Sequence, residues 1–383
     1  MGLLDDREYF VGVCYPHGGI SVNVDKLFTP ASNTKIFTSW FALNTLGEDH
    51  LFYSEYSVVD STLYIKPRGN PLLSHADVDS LLEELDVPMG LKEVVVDADF
   101  LNPDARPPGW CLDDVGEAYA PVVDDVCFDL NCITVERVGA GIRMIPENTY
   151  FHLELDSKTV KPVVRGRRVV LPVERLKNGG RTGFSYPSPR HFFLEYLDEK
   201  VVEKGLASKG LKLRVGRIRG DPKPFAEKTM GETLKTLNKQ SQNIVAELLL
   251  LHAGKKLGAQ TRESSIKKMR STLEYRSIRG VILHDGSGLS RYNLVSPHSV
   301  VKVLSQLADS KVFLESLPIG SVDGTLRNRL NERVRAKTGS LLGVRALSGY
   351  VDDEPFSIIV NHAVDVDRVV QEIDEFVLTR MLG

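Results

Sequence analysis

Apolar positions along the chain come in two textures. Short apolar or alternating runs predict strands, and apolar residues recurring every three to four positions predict helices. Residues 8–13 read as a strand, His17-Gly18-Gly19 as a turn and residues 20–24 as the returning strand of a hairpin. A helix follows over about residues 32–46, with Ile36, Phe37, Trp40, Phe41 and Leu43 apolar. From about residue 53 the runs shorten. Residues 57–59, 63–65 and 93–97 read as strands, residues 81–85 as part of a short helix, and Pro103, Pro107, Pro108 and Gly109 as a loop. Strand-like runs recur at 132–137, 150–155 and 167–173, so the whole stretch to about residue 221 reads as β-rich. Helical texture returns after Pro222 and Pro224 and is strongest over 244–257. Ser296-Pro297 marks a helix start, a capping residue followed by proline at the first helical position. Residues 334–338, 344–351 and 356–361 then predict three consecutive strands, and 364–381 a terminal helix.

Helices grouped around a meander of strands predict an α+β fold and not alternating βαβ units. Composition narrows the class. The 383 residues are 42% hydrophobic, with 48 Lys+Arg against 51 Asp+Glu and a formal net charge of −3. A disordered chain would be less apolar and more charged. No basic excess exists for bulk nucleic-acid binding, and no apolar run of about 18 residues predicts a membrane-spanning helix. The length predicts two domains, or one domain with a large insertion. Cys14, Cys111, Cys127 and Cys132 lack metal or redox spacing. They read as scattered buried thiols, with one disulfide open to an exported protein. The Met1-Gly2-Leu3-Leu4-Asp5-Asp6 start shows no signal-peptide pattern.

HExxH, GxSxG, GxGxxG and Walker motifs are absent, and the nine histidines form no HxH or HxxxH pair. No metal and no cofactor are therefore expected. Serine and lysine motifs remain. Ser32-Asn33-Thr34-Lys35 places a serine and a lysine one turn apart at the start of a helix. A serine hydroxyl needs a base within reach, and a lysine amine serves as one when burial or a neighbouring cation lowers its pKa. The free N–H groups of the helix start suit an oxyanion. The same spacing at Ser264/Lys267, Ser265/Lys268 and Ser299/Lys302 reads as solvated helix surface. SxN occurs at Ser21/Asn23, in the hairpin, and at Ser241/Asn243, before the strongest helix. Lys337-Thr338-Gly339 occurs once, on a strand. The order SxxK, SxN, KTG is that of the serine–lysine acyltransferases, penicillin-binding proteins and class A β-lactamases.

The flanks sharpen the match. Phe28-Thr-Pro-Ala-Ser-Asn-Thr-Lys-Ile-Phe-Thr38, Asn238-Lys-Gln-Ser-Gln-Asn243, His284-Asp-Gly-Ser-Gly-Leu-Ser-Arg-Tyr-Asn293, Val322-Asp-Gly-Thr-Leu-Arg-Asn-Arg329 and Ala336-Lys-Thr-Gly-Ser-Leu-Leu-Gly343 resemble segments of the class C low-molecular-weight penicillin-binding proteins, the D-alanyl-D-alanine carboxypeptidase family. Gly69-Asn-Pro-Leu-Leu73 and Pro107-Pro-Gly-Trp110 are similar too, so the resemblance spans nearly the whole chain. It implies a serine β-lactamase/penicillin-binding-protein-like catalytic domain, an antiparallel sheet flanked by helices, over 1–52 and 222–383. A β-rich inserted domain would occupy 53–221.

The resemblance also implies roles. Ser32 is the nucleophile, Lys35 the general base, Ser241 the proton relay to the leaving amine, and Asn243 the holder of Lys35 and of the substrate amide. Lys337 and Thr338 bind the substrate's terminal carboxylate, and Lys337 helps to keep Lys35 neutral. Gly339 lets the strand approach the substrate, and the N–H groups of Ser32 and Ser340 form the oxyanion hole. Ser287 and Arg291 line an outer pocket or scaffold a loop, whereas Asp285, Gly286, Asp323 and Arg327 read as structural.

The implied substrate is a peptide ending in D-Ala-D-Ala, with β-lactams as inhibitors and an extracytoplasmic location. A cytoplasmic location stays open because no leader is visible. The one ExxxN pair, Glu174/Asn178, precedes SxN, unlike the deacylating glutamate of class A β-lactamases, so slow hydrolysis of penicillin esters is expected. An endopeptidase activity, a serine–lysine esterase, D-aminopeptidase or β-lactamase with a different substrate, and a non-catalytic binding module are the alternatives.

Overall fold

The computed structural model describes residues 8–87, 90–139, 141–208 and 210–383. The Met1–Asp6 start read above for a leader lies outside them, as do the side chains of Asn178 and Gly179. In chain order the strands are β1 (Phe10–Tyr15), β2 (Ile20–Val22), β3 (Leu51–Val59), β4 (Thr62–Lys66), β5 (Glu93–Val96), β6 (Cys132–Val138), β7 (Gly141–Ile145), β8 (His152–Asp156), β9 (Val163–Arg165), β10 (Arg168–Pro172), β11 (Arg181–Ser185), β12 (Lys212–Val215), β13 (Lys223–Thr229), β14 (Val281–Ile282), β15 (Leu294–Val295), β16 (Val334–Leu341), β17 (Val344–Val351) and β18 (Glu354–Asn361). The helices are α1 (Thr34–Leu46), α2 (His75–Glu84), α3 (Pro189–Glu203), α4 (Met230–Lys239), α5 (Asn243–Lys256), α6 (Arg262–Tyr275), α7 (Pro297–Leu307), α8 (Lys311–Ser316) and α9 (Val366–Phe376). The fold is α+β.

Residue contacts divide the chain into two compact units. One comprises Met1–His50, Pro107–Trp110 and Thr229–Gly383, the other Leu51–Arg106 and Cys111–Lys228. The first unit is built on an antiparallel sheet in the order β16-β17-β18-β1-β2. Its first and last strands in sequence lie side by side, with Phe10 opposite Asn361. Alternation decides what each face carries. Val334, Ala336, Leu347, Ile358 and Val360 line one face and pack against Val369, Ile373 and Phe376 of α9. Full burial of each large aliphatic side chain there contributes about 1.5–3 kcal/mol. The opposite face takes α1 and α7. There the Asn33 side-chain amide donates to Ser348 Oγ at 2.6 Å, and Tyr350 OH donates to the Leu304 carbonyl at 2.8 Å. Every residue from Thr34 to Leu43 is buried, so α1 runs through the middle of the unit. Its apolar residues pack on several sides, and its buried polar ones, Lys35 and Thr38 among them, each have a hydrogen-bond partner. Where the chain leaves the unit and returns, Met230 N–H donates to the His50 carbonyl at 3.0 Å.

The second unit holds a mixed sheet, β12-β5-β4-β3-β13, and two three-stranded sheets, β8-β10-β9 and β11-β6-β7. Its core is largely aliphatic and includes an aromatic group, Phe128, Phe151, Phe184, Tyr186, Phe192, Phe193 and Tyr196. Two segments differ from expectation. Residues 189–203, within the stretch read as β-rich, form the 15-residue helix α3, although its aromatic residues favour strands. The segment after Pro222, read as helical, begins as strand β13. Pro224 is tolerated there because β13 is an edge strand and one side of it needs no N–H donor. All four cysteines are free. The Cys127 thiol faces the Pro71 carbonyl and the Cys132 thiol that of Ala118.

Candidate active site

Three segments of the first unit converge on Lys35. Ser32 sits on a 3₁₀ turn, Ala31–Asn33, that leads into α1, and Lys35 follows in the first helical turn. Just upstream, the turn is anchored to the sheet. Asn361, the last residue of β18, accepts the Thr29 N–H at 2.8 Å and donates to the Thr29 carbonyl at 3.1 Å. Lys35 Nζ lies 3.1 Å from Ser32 Oγ, 2.5 Å from Asn243 Oδ1 and 2.7 Å from the Ser287 carbonyl. Its side chain has no exposure. Burial is the first cause that pulls its pKa down from 10.5 to about 7, against the upward pull of the Asp285 and Glu247 carboxylates.

Lys337 on β16 is equally buried. Its Nζ donates to Ser241 Oγ and to the Thr338 carbonyl, each at 2.9 Å. Burial first, then the charge of Lys35, holds its ammonium well below the ordinary lysine range. Ser241 itself adopts a left-handed backbone, φ +59°. The structure thus forms two hydrogen-bonded groups, Lys35 with Ser32 and Asn243, and Lys337 with Ser241, coupled by the charge of Lys35 acting on Lys337.

The remaining candidates divide. Thr338 Oγ1 donates to Thr325 Oγ1 at 2.8 Å, and Ser340 is exposed at the edge of the sheet. Arg291 is exposed and donates to the Leu342 carbonyl at 3.2 Å, in the β16–β17 turn. Ser287 requires a correction. Its hydroxyl is fully buried and donates to Asp285 at 2.8 Å, so it cannot line an outer pocket; the residue presents its carbonyl to Lys35 instead. Gly339 has a packing role as well. A Cβ there would lie 2.7 Å from the Pro30 carbonyl oxygen and 3.2 Å from Ala31 Cβ. The glycine lets β16 press against the turn that carries Ser32, a constraint internal to the protein.

The other SxxK pairs, read as solvated helix surface, have exposed lysines, but Ser264 is half-buried and Ser265 and Ser299 are buried. Ser264 belongs to the α6 capping box, and the hydroxyls of Ser265 and Ser299 donate to the Thr261 and Ser296 carbonyls. Glu174 pairs with Lys177 at 2.6 Å in the second unit; the side chain of Asn178 lies outside the described residues.

Sequence reasoning missed the groups behind the cluster. Asp285, fully buried, accepts from Trp110 Nε1, Ser287 Oγ, the Gly288 and Ser290 N–H groups and Asn293 Nδ2, at 2.6–2.9 Å. Trp110 explains why residues 107–110 belong to the first unit. Glu247, also fully buried, accepts Arg262 Nε at 3.1 Å and the Gly286 and Ser287 N–H groups at 2.9 and 3.0 Å. One signal was present: Glu247 is the lone charge in Ile244-Val-Ala-Glu-Leu-Leu-Leu-Leu251, where a solvated position is implausible. Asp323 pairs with Lys239, two residues before Ser241, and accepts the Ile319 N–H at 3.0 Å.

The chain is similar to known proteins over most of its length. The model of the D-Ala-D-Ala carboxypeptidase 3 (S13) family matches residues 20–378. The chain is 28% identical to the D-alanyl-D-alanine carboxypeptidase of Actinomadura sp. (strain R39), covering 90% of this chain and 75% of that protein. It is 26% identical to D-alanyl-D-alanine carboxypeptidase DacB of Haemophilus influenzae, covering 84% of this chain and 77% of that one. The crystal structure of penicillin binding protein 4 (dacB) from Haemophilus influenzae superposes with a TM-score of 0.81 at 23% identity, covering 100% of this chain and 99% of that one. The same protein has been solved in complex with a β-lactam.

Proposed function

The chain belongs to the D-Ala-D-Ala carboxypeptidase 3 (S13) family of serine peptidases, and from that premise we propose that it releases the terminal D-Ala of peptidoglycan-type stem peptides through an acyl-enzyme on Ser32. The observation that carries the role assignment is the environment of Lys35. A neutral amine has two N–H donors and one lone pair. Asn243 Oδ1 and the Ser287 carbonyl can only accept, so both N–H donors are directed to them. The lone pair is then left for the proton of Ser32 Oγ.

In this reading, Ser32 Oγ attacks the penultimate carbonyl as its proton passes to Lys35. The N–H groups of Ser32 and Ser340 receive the oxyanion. Collapse of the tetrahedral intermediate breaks the peptide bond. Ser241, held by Lys337, hands its proton to the departing D-Ala nitrogen and takes in exchange the one that Lys35 received from Ser32, which leaves Lys35 neutral again. Lys337 and Thr338 hold the terminal carboxylate, whose negative charge favours the protonated form of Lys337. Arg291, on the rim, faces the more distant part of the peptide. Water then hydrolyses the ester and returns the chain to its starting state. A β-lactam acylates Ser32 by the same route, but its leaving group stays tethered and the ester persists. Action on a cell-wall peptide implies work in the cell envelope.

Fluorescent penicillin with intact-mass readout tests the assignment. One stable adduct is expected on the wild type and none on Ser32→Ala, with D-Ala released from a D-Ala-D-Ala peptide by the wild type alone. Lys35→Ala is expected to slow acylation by about 10²–10⁴-fold while remaining folded. An adduct that persists in Ser32→Ala would rule out Ser32 as the nucleophile.

A further inference from the structure

We propose that Glu247, clamped by Arg262, is a positioning residue for acylation: it fixes the peptide whose carbonyl orients Lys35. The proposal rests on Lys35 being the base. Asn243 and Glu247 lie one turn apart on α5, so one helix delivers both acceptors of Lys35, the first directly and the second through the loop.

Every polar group of Gly286 and Ser287 has a partner. Glu247 Oε1 accepts both N–H groups, Thr38 Oγ1 donates to the Gly286 carbonyl at 2.6 Å, and Asp285 accepts the Ser287 hydroxyl. Only the Ser287 carbonyl is left to meet Lys35. The loop cannot retreat toward α5, because a Cβ on Gly286 would already lie 2.9 Å from the Ala246 carbonyl oxygen. Arg262, 1% exposed at the first turn of α6, completes the clamp.

Stability alone does not explain a buried ion pair here, since well-packed apolar residues commonly do as well. The pair also contributes charge. The titratable groups facing Lys35 are Asp285 and Glu247 on one side, the Glu247 carboxyl itself pushed up to about 7 by burial, and on the other Lys337, which burial holds well below the ordinary lysine range. Removing the Glu247 charge therefore makes Lys35 easier to deprotonate.

The test is the rate of penicillin acylation across the neutral pH range. Glu247→Gln keeps an acceptor oxygen and loses the charge. Its high-pH plateau is expected to stay within about 10-fold of wild type, with the acid limb displaced to lower pH by on the order of one unit. Glu247→Ala loses the acceptor as well, and its plateau is expected to fall about 10²-fold. Glu247→Gln/Arg262→Met leaves no buried ion unpaired; it carries the test if a single variant fails to fold, with the same direction of displacement expected. Wild-type plateaus and an unmoved acid limb in these variants would overturn the proposal. Lys35→Ala separates the two readings. If it acylates at the wild-type rate, Lys35 is not the base. If it is inactive while the Glu247 variants behave as wild type, only the positioning role falls.

Discussion

Lys35 has no exposed surface, and its amine titrates near 7 because its charged form is desolvated. The sign of the pH dependence follows. With Lys35 as the proposed base, acylation needs the neutral amine, so its rate is expected to rise as pH increases through about 7 and to level off above. Stopped-flow acylation by a chromogenic β-lactam measures this. A rate that falls with rising pH over that range would mean that the base is a different group. The residues of the cluster were legible in the sequence because three short motifs recur in a fixed order. Glu247, Arg262 and Asp285 were not placed behind them, because no spacing rule links a carboxylate inside a leucine-rich helix to the amides of a loop about 40 residues on. The position of Ser287 was legible, but its contribution was not: the hydroxyl suggested a surface role, and the backbone carbonyl is what meets Lys35.

Among the elements, β16 is the one most constrained by the site. It is the edge strand of its sheet, bridged on its outer side by Ile319 at Arg335, and it carries Lys337, Thr338, Gly339 and Ser340 in succession. Alternation turns Lys337 toward α1 and the Ser241 hydroxyl, while Thr338 faces Thr325. Gly339→Ala would push β16 away from the turn of Ser32, because the new methyl meets backbone at Pro30. The expected outcome is a loss of about 1–3 kcal/mol of stability, read by thermal or denaturant unfolding, with slower acylation. Wild-type acylation in that variant would show that the close approach of β16 is not needed. The strands 334–351 and the helix α1 were legible from pattern. Helix α3 was not, even though Ser188-Pro189 repeats the cap-then-proline signal seen at Ser296-Pro297, because Phe192, Phe193 and Tyr196 suit strands equally well. Their place in the aromatic group of the second unit's core decided the matter, a tertiary effect no local window contains.

At the scale of the whole molecule, the first unit is closed by its own ends. Strand β1 lies against β18, and Asn361 clamps Thr29, three residues before Ser32. This arrangement imposes an order on biosynthesis. Ser32, the proposed nucleophile, is made more than 300 residues before Asn361, which anchors its turn. At roughly 5–20 residues per second, β1 waits on the order of tens of seconds on the ribosome for a partner. Pairing across so long a separation is also slow in its own right. The second unit, contiguous apart from residues 107–110, can meanwhile condense. The nascent chain should therefore be inert toward its inhibitor: a chain truncated after Asp353, lacking β18, is expected to take up no fluorescent penicillin. Labelling of such a chain on Ser32 would show that the centre forms before the sheet is closed. An enzyme built this way withholds its reactivity until β18 has been made.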